Sequence, residues 1–96
     1  MSNKNPKSLS LEEASQIILR PYITEKTYNL IDKENKVTFI VNEKATKTQI
    51  LASLRVMYEA EGSEVNTVRT ISGKKAFVKF VRDQGARDLA TRLGLV

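Results

Sequence analysis

The 96-residue sequence contains no cysteine, no histidine and no tryptophan. These absences exclude disulfides, the usual zinc ligands, and the thiolate and imidazole groups that most often act as nucleophile or general base. Glycine is scarce as well, with four residues, and none has the spacing of a phosphate-binding loop. Since no carboxylates are paired at a defined position either, we expect no catalytic site, no metal site and no cofactor.

Long apolar runs are also missing. Consecutive apolar residues, as in Ile17-Ile18-Leu19 and Phe39-Ile40-Val41, do not exceed three. Such runs are too short for the core of a signal peptide or for a membrane-spanning helix. We therefore expect a soluble, cytoplasmic protein that does not insert directly into a membrane.

The sequence does contain a local excess of positive charge. The chain has a net charge of +5, and five basic residues oppose Glu64 alone between residues 64 and 82, which gives that segment +4. This cluster favours a polyanionic partner such as nucleic acid, or an anionic membrane surface. Its basic residues are Arg69, Lys74, Lys75, Lys79 and Arg82.

Capping residues followed by apolar residues at helical spacing predict the helices. These run from Ser10 toward Ile18, from Thr24 to near Asn35, from Thr46 to Gly62, and over 86–93 ahead of Gly94. The first of them is expected to stop before Pro21, because a proline disfavours helical backbone in the residue before it.

Alternating apolar residues predict strands at 37–41, 64–71 and 74–82, with the last two joined as a hairpin through Ser72-Gly73. The first strand is apolar on both faces, which favours a position in mid-sheet. We predict an α+β fold, with a small antiparallel sheet of three or four strands and helices packed on one face. Polar residues 1–16 are expected to form a mobile tail, and residues 17–96 a single domain.

The second strand of the hairpin divides into two faces when read with a period of two. The two sets are Ala76, Val78 and Phe80 against Lys75, Phe77 and Lys79. The second set suits RNA, because ammonium groups neutralise phosphates while a ring stacks on an unpaired base. The alternative is an ordinary solvated face on which Phe77 covers a neighbouring helix, and the pattern leaves both interpretations open.

Four more polar side chains are candidates for RNA contacts. Asn66 and Thr67 precede the turn of the hairpin and can bond to phosphate, a 2′-hydroxyl or a base edge. Lys26 and Lys47 lie early in predicted helices, where backbone N–H groups also attract phosphate. In each case the alternative is an ordinary surface residue.

Six ordered segments carry a resemblance to a known family. They are Arg20-Pro21-Tyr22-Ile23-Thr24-Glu25-Lys26, Asn35-Lys36-Val37-Thr38-Phe39-Ile40-Val41, Ala45-Thr46-Lys47, Val65-Asn66-Thr67, Lys74-Lys75-Ala76-Phe77-Val78-Lys79 and Ala90-Thr91-Arg92-Leu93-Gly94. Over residues 17–96 the chain resembles the large-subunit ribosomal protein twenty-three family. The hairpin loop lacks the long tunnel-reaching extension of bacterial members, so the chain looks like an archaeal form.

The resemblance implies a structural, non-enzymatic constituent of the large ribosomal subunit. Such a protein binds large-subunit rRNA near the polypeptide exit tunnel, beside neighbouring ribosomal proteins in the cytoplasm. The rRNA-binding residues that it implies are Thr24, Lys26, Lys47, Asn66, Thr67, Lys74, Lys75 and Lys79, and the charge and strand pattern adds Arg69 and Phe77.

The family also offers a docking surface to factors that meet the emerging chain, such as the signal recognition particle, a chaperone or the translocon. The positions that match this surface are Glu25, Tyr58 and Glu59. Family members usually carry larger apolar residues at the positions of Ala60 and Gly62. They usually carry a leucine at that of Phe80.

The residues alone leave a second hypothesis open, a protein-binding α+β module whose basic hairpin docks an acidic partner. An enzyme of similar fold is the third hypothesis, and no sequence feature supports it.

Overall fold

The computed structural model describes residues 9–95. The elements are α1 Leu11–Ile17, β1 Ile18–Pro21, α2 Glu25–Glu34, β2 Lys36–Val41, α3 Lys47–Tyr58, β3 Gly62–Thr70, β4 Gly73–Phe80 and α4 Gly85–Arg92. The strands form one four-stranded sheet in the order β1-β2-β4-β3, and every pairing is antiparallel. These elements confirm the predicted α+β class.

The core lies between one face of the sheet and the helices. The strand residues in it include Val37, Phe39, Val41, Ala76, Val78 and Phe80, and the helix residues include Ile31, Ile50, Leu54, Ala86, Leu89 and Ala90. We call this side of the sheet the helix-covered face. The ring of Tyr58 stacks on that of Phe39 there, with 6.0 Å between ring centroids. Removal of these apolar side chains from water is the main favourable contribution to folding.

The predicted helix starts are confirmed. Ser10, Thr24 and Thr46 each accept a hydrogen bond from the third amide of their helix, and each forms a capping box. The first helix ends at Ile17, where the chain continues as the short strand β1. The sequence patterns did not predict β1, which supplies the fourth strand.

The predicted end of α3 at Gly62 is wrong. The helix ends at Tyr58, because Glu59 takes a left-handed conformation with φ 54° as its C-cap. Gly62 instead begins β3 and pairs with Phe80. A Cβ atom at Gly62 would lie 2.7 Å from a methyl carbon of Leu51 and 2.9 Å from one of Val78, so a side chain at this position would require those side chains to shift.

Asn35 connects three elements near one end of the sheet. It ends α2 in a left-handed conformation with φ 58°. Its amide nitrogen donates to the carbonyl oxygens of Phe80 at 3.2 Å and Arg82 at 2.8 Å, and its Oδ1 accepts from the backbone N–H of Ala86 at 2.9 Å. Gln84, which precedes α4, makes no side-chain cap bond. Asn35 therefore caps α4 from a distant part of the chain.

The predicted boundary between residues 16 and 17 falls inside α1. Ala14 of this helix is fully buried, and α1 contacts α3. Residues 1–8 of the predicted tail, and Val96, lie outside the described residues, so the mobility of the tail stays a prediction. Within residues 9–95, no helix is long and apolar enough to span a membrane.

Candidate nucleic-acid interface

The second face of the sheet is formed by the alternate residues of the same strands, and we call it the polar face. Its three successive rows are Arg20, Ile40, Lys75 and Val68, then Tyr22, Thr38, Phe77 and Asn66, then Lys36, Lys79 and Glu64. Four cations and two aromatic rings thus share this face with one carboxylate.

The predicted alternation of β4 is confirmed. Ala76 and Val78 are fully buried on the helix-covered face, whereas Lys79 is exposed and Lys75 and Phe77 are partly exposed on the polar face. The alternative in which Phe77 covers a neighbouring helix is therefore wrong, because the ring lies on the other side of the sheet. Its cross-strand neighbours are Thr38 and Asn66.

Lys75 and Tyr22 interact directly on the polar face. The ammonium nitrogen of Lys75 lies 4.1 Å from the centroid of the Tyr22 ring, which is a cation–π contact. Tyr22 is held beside β2 because its backbone N–H donates to the carbonyl of Thr38 at 2.9 Å. In β2, Thr38 and Ile40 are only 1% and 4% exposed, so this part of the face is packed and not a loose array of side chains.

Arg20, Tyr22 and Lys36 belong to the polar face although sequence reasoning did not select them. Arg20 reaches it through an irregularity in the pairing of β1 with β2, which places it opposite Ile40. A signal was present, because Pro21 is compatible with an edge strand that alternates through Arg20 and Tyr22. The charge of Lys36 is partly satisfied by Glu34, 3.1 Å away.

A second group of predicted residues lies at the hairpin end of the helix-covered face. Thr67 pairs with Ala76, and Arg69 pairs with Lys74. The ammonium of Lys74 donates to the carbonyl of Ala45 at 2.9 Å and more weakly to that of Glu43 at 3.4 Å. Lys74 thus closes the loop before α3, and Lys47 is the first residue of that helix. The structure does not place this group with Lys75, Phe77 and Lys79.

The remaining predicted RNA contacts lie at the start of α2. The hydroxyl of Thr24 accepts a hydrogen bond from the backbone N–H of Thr27 at 3.2 Å, and it therefore already caps the helix. Lys26 is exposed in the first turn.

The three predicted docking residues differ in exposure. Glu25 is exposed at the first position of α2, and Glu59 is exposed at the C-cap of α3. Tyr58 is partly buried against Phe39, and burial raises the pKa of its hydroxyl. Its backbone carbonyl accepts a hydrogen bond from Arg92 at 2.7 Å. Tyr58 therefore anchors the end of α3 in the core and positions Glu59 beside it.

Ala60, a small residue that follows α3, borders a pocket at this end of the helix. A shallow pocket lies between the end of α3, the end of β4 and α4, and Ala60, Phe80 and Arg92 line part of it. Phe80 stands opposite Gly62 in the sheet, and the atoms nearest to a side chain at Gly62 would be those of Leu51, Val78 and Lys79. Within the described part of the chain, no group of three or more acidic residues, histidines or cysteines is placed to hold a metal ion.

Fold and polar face together define a small basic α+β domain with one helix-covered and one charged sheet face. The family model described as Ribosomal protein L23 matches residues 16–91. The chain therefore belongs to the Ribosomal protein L23 family, whose members are structural, non-enzymatic proteins of the large ribosomal subunit.

Several curated relatives support this assignment. The Large ribosomal subunit protein uL23 of Methanobrevibacter smithii is 42% identical over 84 residues, which cover 86% of this chain and 98% of the relative. The proteins of the same name from Methanococcus aeolicus and Picrophilus torridus are 37% and 38% identical, and the matches cover 86% and 81% of this chain and 98% and 95% of the relatives. All three organisms are archaeal, which confirms the predicted archaeal-like form.

Proposed function

We propose that this chain is a structural constituent of the large ribosomal subunit that binds rRNA near the polypeptide exit tunnel through its polar face. The observation that carries the proposal is the arrangement of β4, where Lys75 and Lys79 flank the partly exposed ring of Phe77 on the face away from the helices. Phosphates are neutralised by the cations, and an unpaired base stacks on the ring.

The neighbouring strands extend the same chemistry across the sheet. Arg20 and Tyr22 add a further cation and ring beside Lys75, and Asn66 adds an exposed amide next to Phe77. In this proposal phosphate contacts set the affinity, and the amide supplies a donor and an acceptor to a base edge or a 2′-hydroxyl.

The other residues of the proposed rRNA surface lie around the sheet. They are Thr24 and Lys26 at the start of α2, Lys47 at the start of α3, and Thr67, Arg69 and Lys74 at the hairpin end. Lys74 has three N–H donors, and two point to carbonyl oxygens of the β2–α3 loop, which leaves one for a phosphate.

A docking surface for factors at the tunnel exit is the second part of the proposal. Glu25 and Glu59 provide exposed carboxylates for a signal recognition particle, a chaperone or a translocon, and Tyr58 holds the end of α3 in place. We also expect contacts with neighbouring ribosomal proteins of the cytoplasmic ribosome.

The salt dependence of RNA binding tests the use of the polar face. Purified chain is titrated with protein-free large-subunit rRNA at about 50 to 200 mM salt, and the slope of log affinity against log salt concentration is compared between variants. Each lost phosphate contact lowers that slope by roughly 0.7 to 0.9. We expect K75A/K79A to lower it by roughly twice that amount.

The matched control is Lys33→Ala, which removes an exposed lysine from α2 and should leave the slope unchanged. Equal slopes for wild type and the double variant would contradict the proposal. If the wild-type chain bound no RNA, and charge reversal at Lys75 and Lys79 abolished a complex with an acidic protein, the second hypothesis from the sequence would replace it.

A further inference from the structure

The two edges of the sheet differ in how well they are protected. At one edge, β1 has four residues, contains Pro21 and has an irregular register. At the other edge, β3 has nine residues without proline, and it pairs in regular register from Glu64 to Thr70. Soluble proteins usually shorten, bend or block an edge strand, because its free backbone groups can pair with another chain. β1 is short, contains a proline and is irregular, whereas β3 has one register shift, between Gly62 and Glu64, and is regular beyond it.

The directions of the backbone groups in β4 follow from two hydrogen bonds at its end. The N–H of Phe80 donates to the carbonyl of Asn35 on the β2 side at 3.2 Å, and the N–H of Val81 donates to that of Glu61 on the β3 side at 3.0 Å. Backbone groups point to alternate sides along an antiparallel strand. The backbone groups that point to β3 are therefore those of Lys75, Phe77 and Lys79.

The free groups of β3 can now be assigned. The register partners of those three residues are Val68, Asn66 and Glu64, whose backbone groups point back to β4. Val65, Thr67 and Arg69 alternate with them, so their backbone groups point to the free edge. Val65 is only 5% exposed, so the groups that a partner can reach are those of Thr67 and Arg69. Among residues 9–95, β3 pairs with β4 alone.

The alternation of donors and acceptors indicates what fits this edge. Phosphates offer only acceptors, so they would leave the carbonyl groups of Thr67 and Arg69 without donors, and RNA has donors along its backbone only in its 2′-hydroxyls. An extended peptide offers donors and acceptors in the matching alternation. A second copy would do so too, but it would bring together two chains that each carry +5.

The side chains beside the edge favour a protein partner as well. Val68 is 49% exposed on the polar face, and Ile71 at the hairpin turn is fully exposed. Arg69 is exposed, and among the described residues it forms no ion pair. A complementary strand would place an apolar side chain next to Val68 and an acidic one next to Arg69.

We infer that the free edge of β3 binds an extended segment of a neighbouring large-subunit protein as a fifth strand of the sheet. The segment pairs with the backbone of Thr67 and Arg69 and carries an apolar and an acidic residue opposite Val68 and Arg69. This inference rests on the proposed place of the chain in the large subunit. It assigns Thr67 and Arg69 to a protein segment instead of rRNA, and it does not use Lys75, Phe77 or Lys79.

Photo-crosslinking in purified large subunits identifies the occupant of the edge. The photoreactive amino acid p-benzoylphenylalanine replaces Val68, whose side chain is half-exposed beside the edge. The expected product is a covalent link to a different protein of the subunit. A link to a second copy, or no link to any protein, would overturn the inference, whereas an additional link to RNA agrees with the place of Val68 on the polar face.

Two substitutions at Thr67 separate backbone pairing from side-chain contact. Thr67→Pro removes an outward N–H, and proline is tolerated on an edge strand where the N–H faces away from the sheet. Thr67→Ala keeps that N–H and removes only the hydroxyl. We expect the yield of the protein cross-link to fall at least tenfold with proline and less than twofold with alanine. Equal yields in the two variants would exclude strand addition.

A second proline variant guards against loss of fold. If Thr67→Pro does not retain the wild-type thermal unfolding midpoint, Arg69→Pro removes the next outward N–H nearer the turn and is scored in the same way. The rRNA titration of K75A/K79A is a separate measurement, so failure of strand addition and failure of RNA binding at the polar face are distinguishable.

Discussion

The two faces of the sheet are built from the same strands and have opposite roles. In β4, Ala76, Val78 and Phe80 are buried under helices, while Lys75, Phe77 and Lys79 lie on the side that carries the charge. A change of one position along the strand therefore exchanges a core residue for a surface residue. The difference predicts that stability and binding can be altered separately by substitutions at alternate residues.

The largest expected effect compares one aromatic residue from each face. Phe39 is fully buried and stacks on Tyr58, so Phe39→Ala should lower the free energy of unfolding by about 3–5 kcal/mol in urea denaturation. Phe77→Ala makes the same chemical change on the polar face and should cost about 1 kcal/mol or less, because the ring is already partly exposed. Equal losses would break the distinction between the faces.

The next effect concerns the attachment of α4 to the helix-covered face. Asn35→Ala removes the side chain that bonds to the carbonyls of Phe80 and Arg82 and to the amide of Ala86. We expect a loss of roughly 2–4 kcal/mol, since three backbone groups lose a partner. Asn35→Gly is the control for backbone conformation, because glycine accepts the positive φ and equally lacks the bonds. An alanine variant as stable as wild type would show that α4 does not depend on this cap.

A third effect concerns RNA affinity. If a base stacks on Phe77, Phe77→Ala should weaken binding to large-subunit rRNA by about 1–3 kcal/mol, measured by titration at constant salt. The slope of affinity against salt should stay constant, because no phosphate contact is lost. Phe77→Tyr retains a ring and should bind like wild type. A loss of affinity that tyrosine does not rescue would argue against stacking.

The smallest expected effect is a loss of stability at high pH that involves Tyr58 on the helix-covered face. Burial raises the pKa of the Tyr58 hydroxyl above its ordinary value. Above about pH 10 the unfolded chain loses this proton first, so stability is complete below that pH and falls as pH rises through the folded-state pKa. Tyr58→Phe should remove this part of the decline. Denaturation curves of both proteins from pH 8 to 11 provide the measurement, and a constant difference between them would contradict the expectation.

Local signals predicted most of the fold. Capping residues and apolar spacing located α1, α2 and α3, apolar spacing before Gly94 located α4, and alternation located β2 and the hairpin. The strand β1 was missed because it has four residues and an irregular register, and because its partner β2 lies beyond α2 in the sequence. The end of α3 was predicted at Gly62, but this glycine begins β3, where it packs closely against Leu51 and Val78.

The candidate site was predicted only where one strand carries it. Lys75, Phe77 and Lys79 follow from the period of β4, but Arg20 and Tyr22 join them only through the pairing of β1 with β2. Lys74 belongs to the predicted basic cluster, but its ammonium donates to the carbonyl of Ala45 in the loop before α3. The local sequence pattern did not predict this contact. Hydrogen bonds between residues far apart in sequence decide such cases, and a local pattern does not contain them.

The strand order has a consequence for how this chain folds during its own synthesis. β2 lies between β1 and β4, and both α3 and β3 are made between β2 and β4. One side of the apolar strand β2 therefore lacks its partner until the C-terminal third of the chain has emerged from the ribosome. Contacts between distant parts of a sequence close slowly. The sheet of the nascent protein is therefore incomplete for most of translation, until its last strand, β4, has been made.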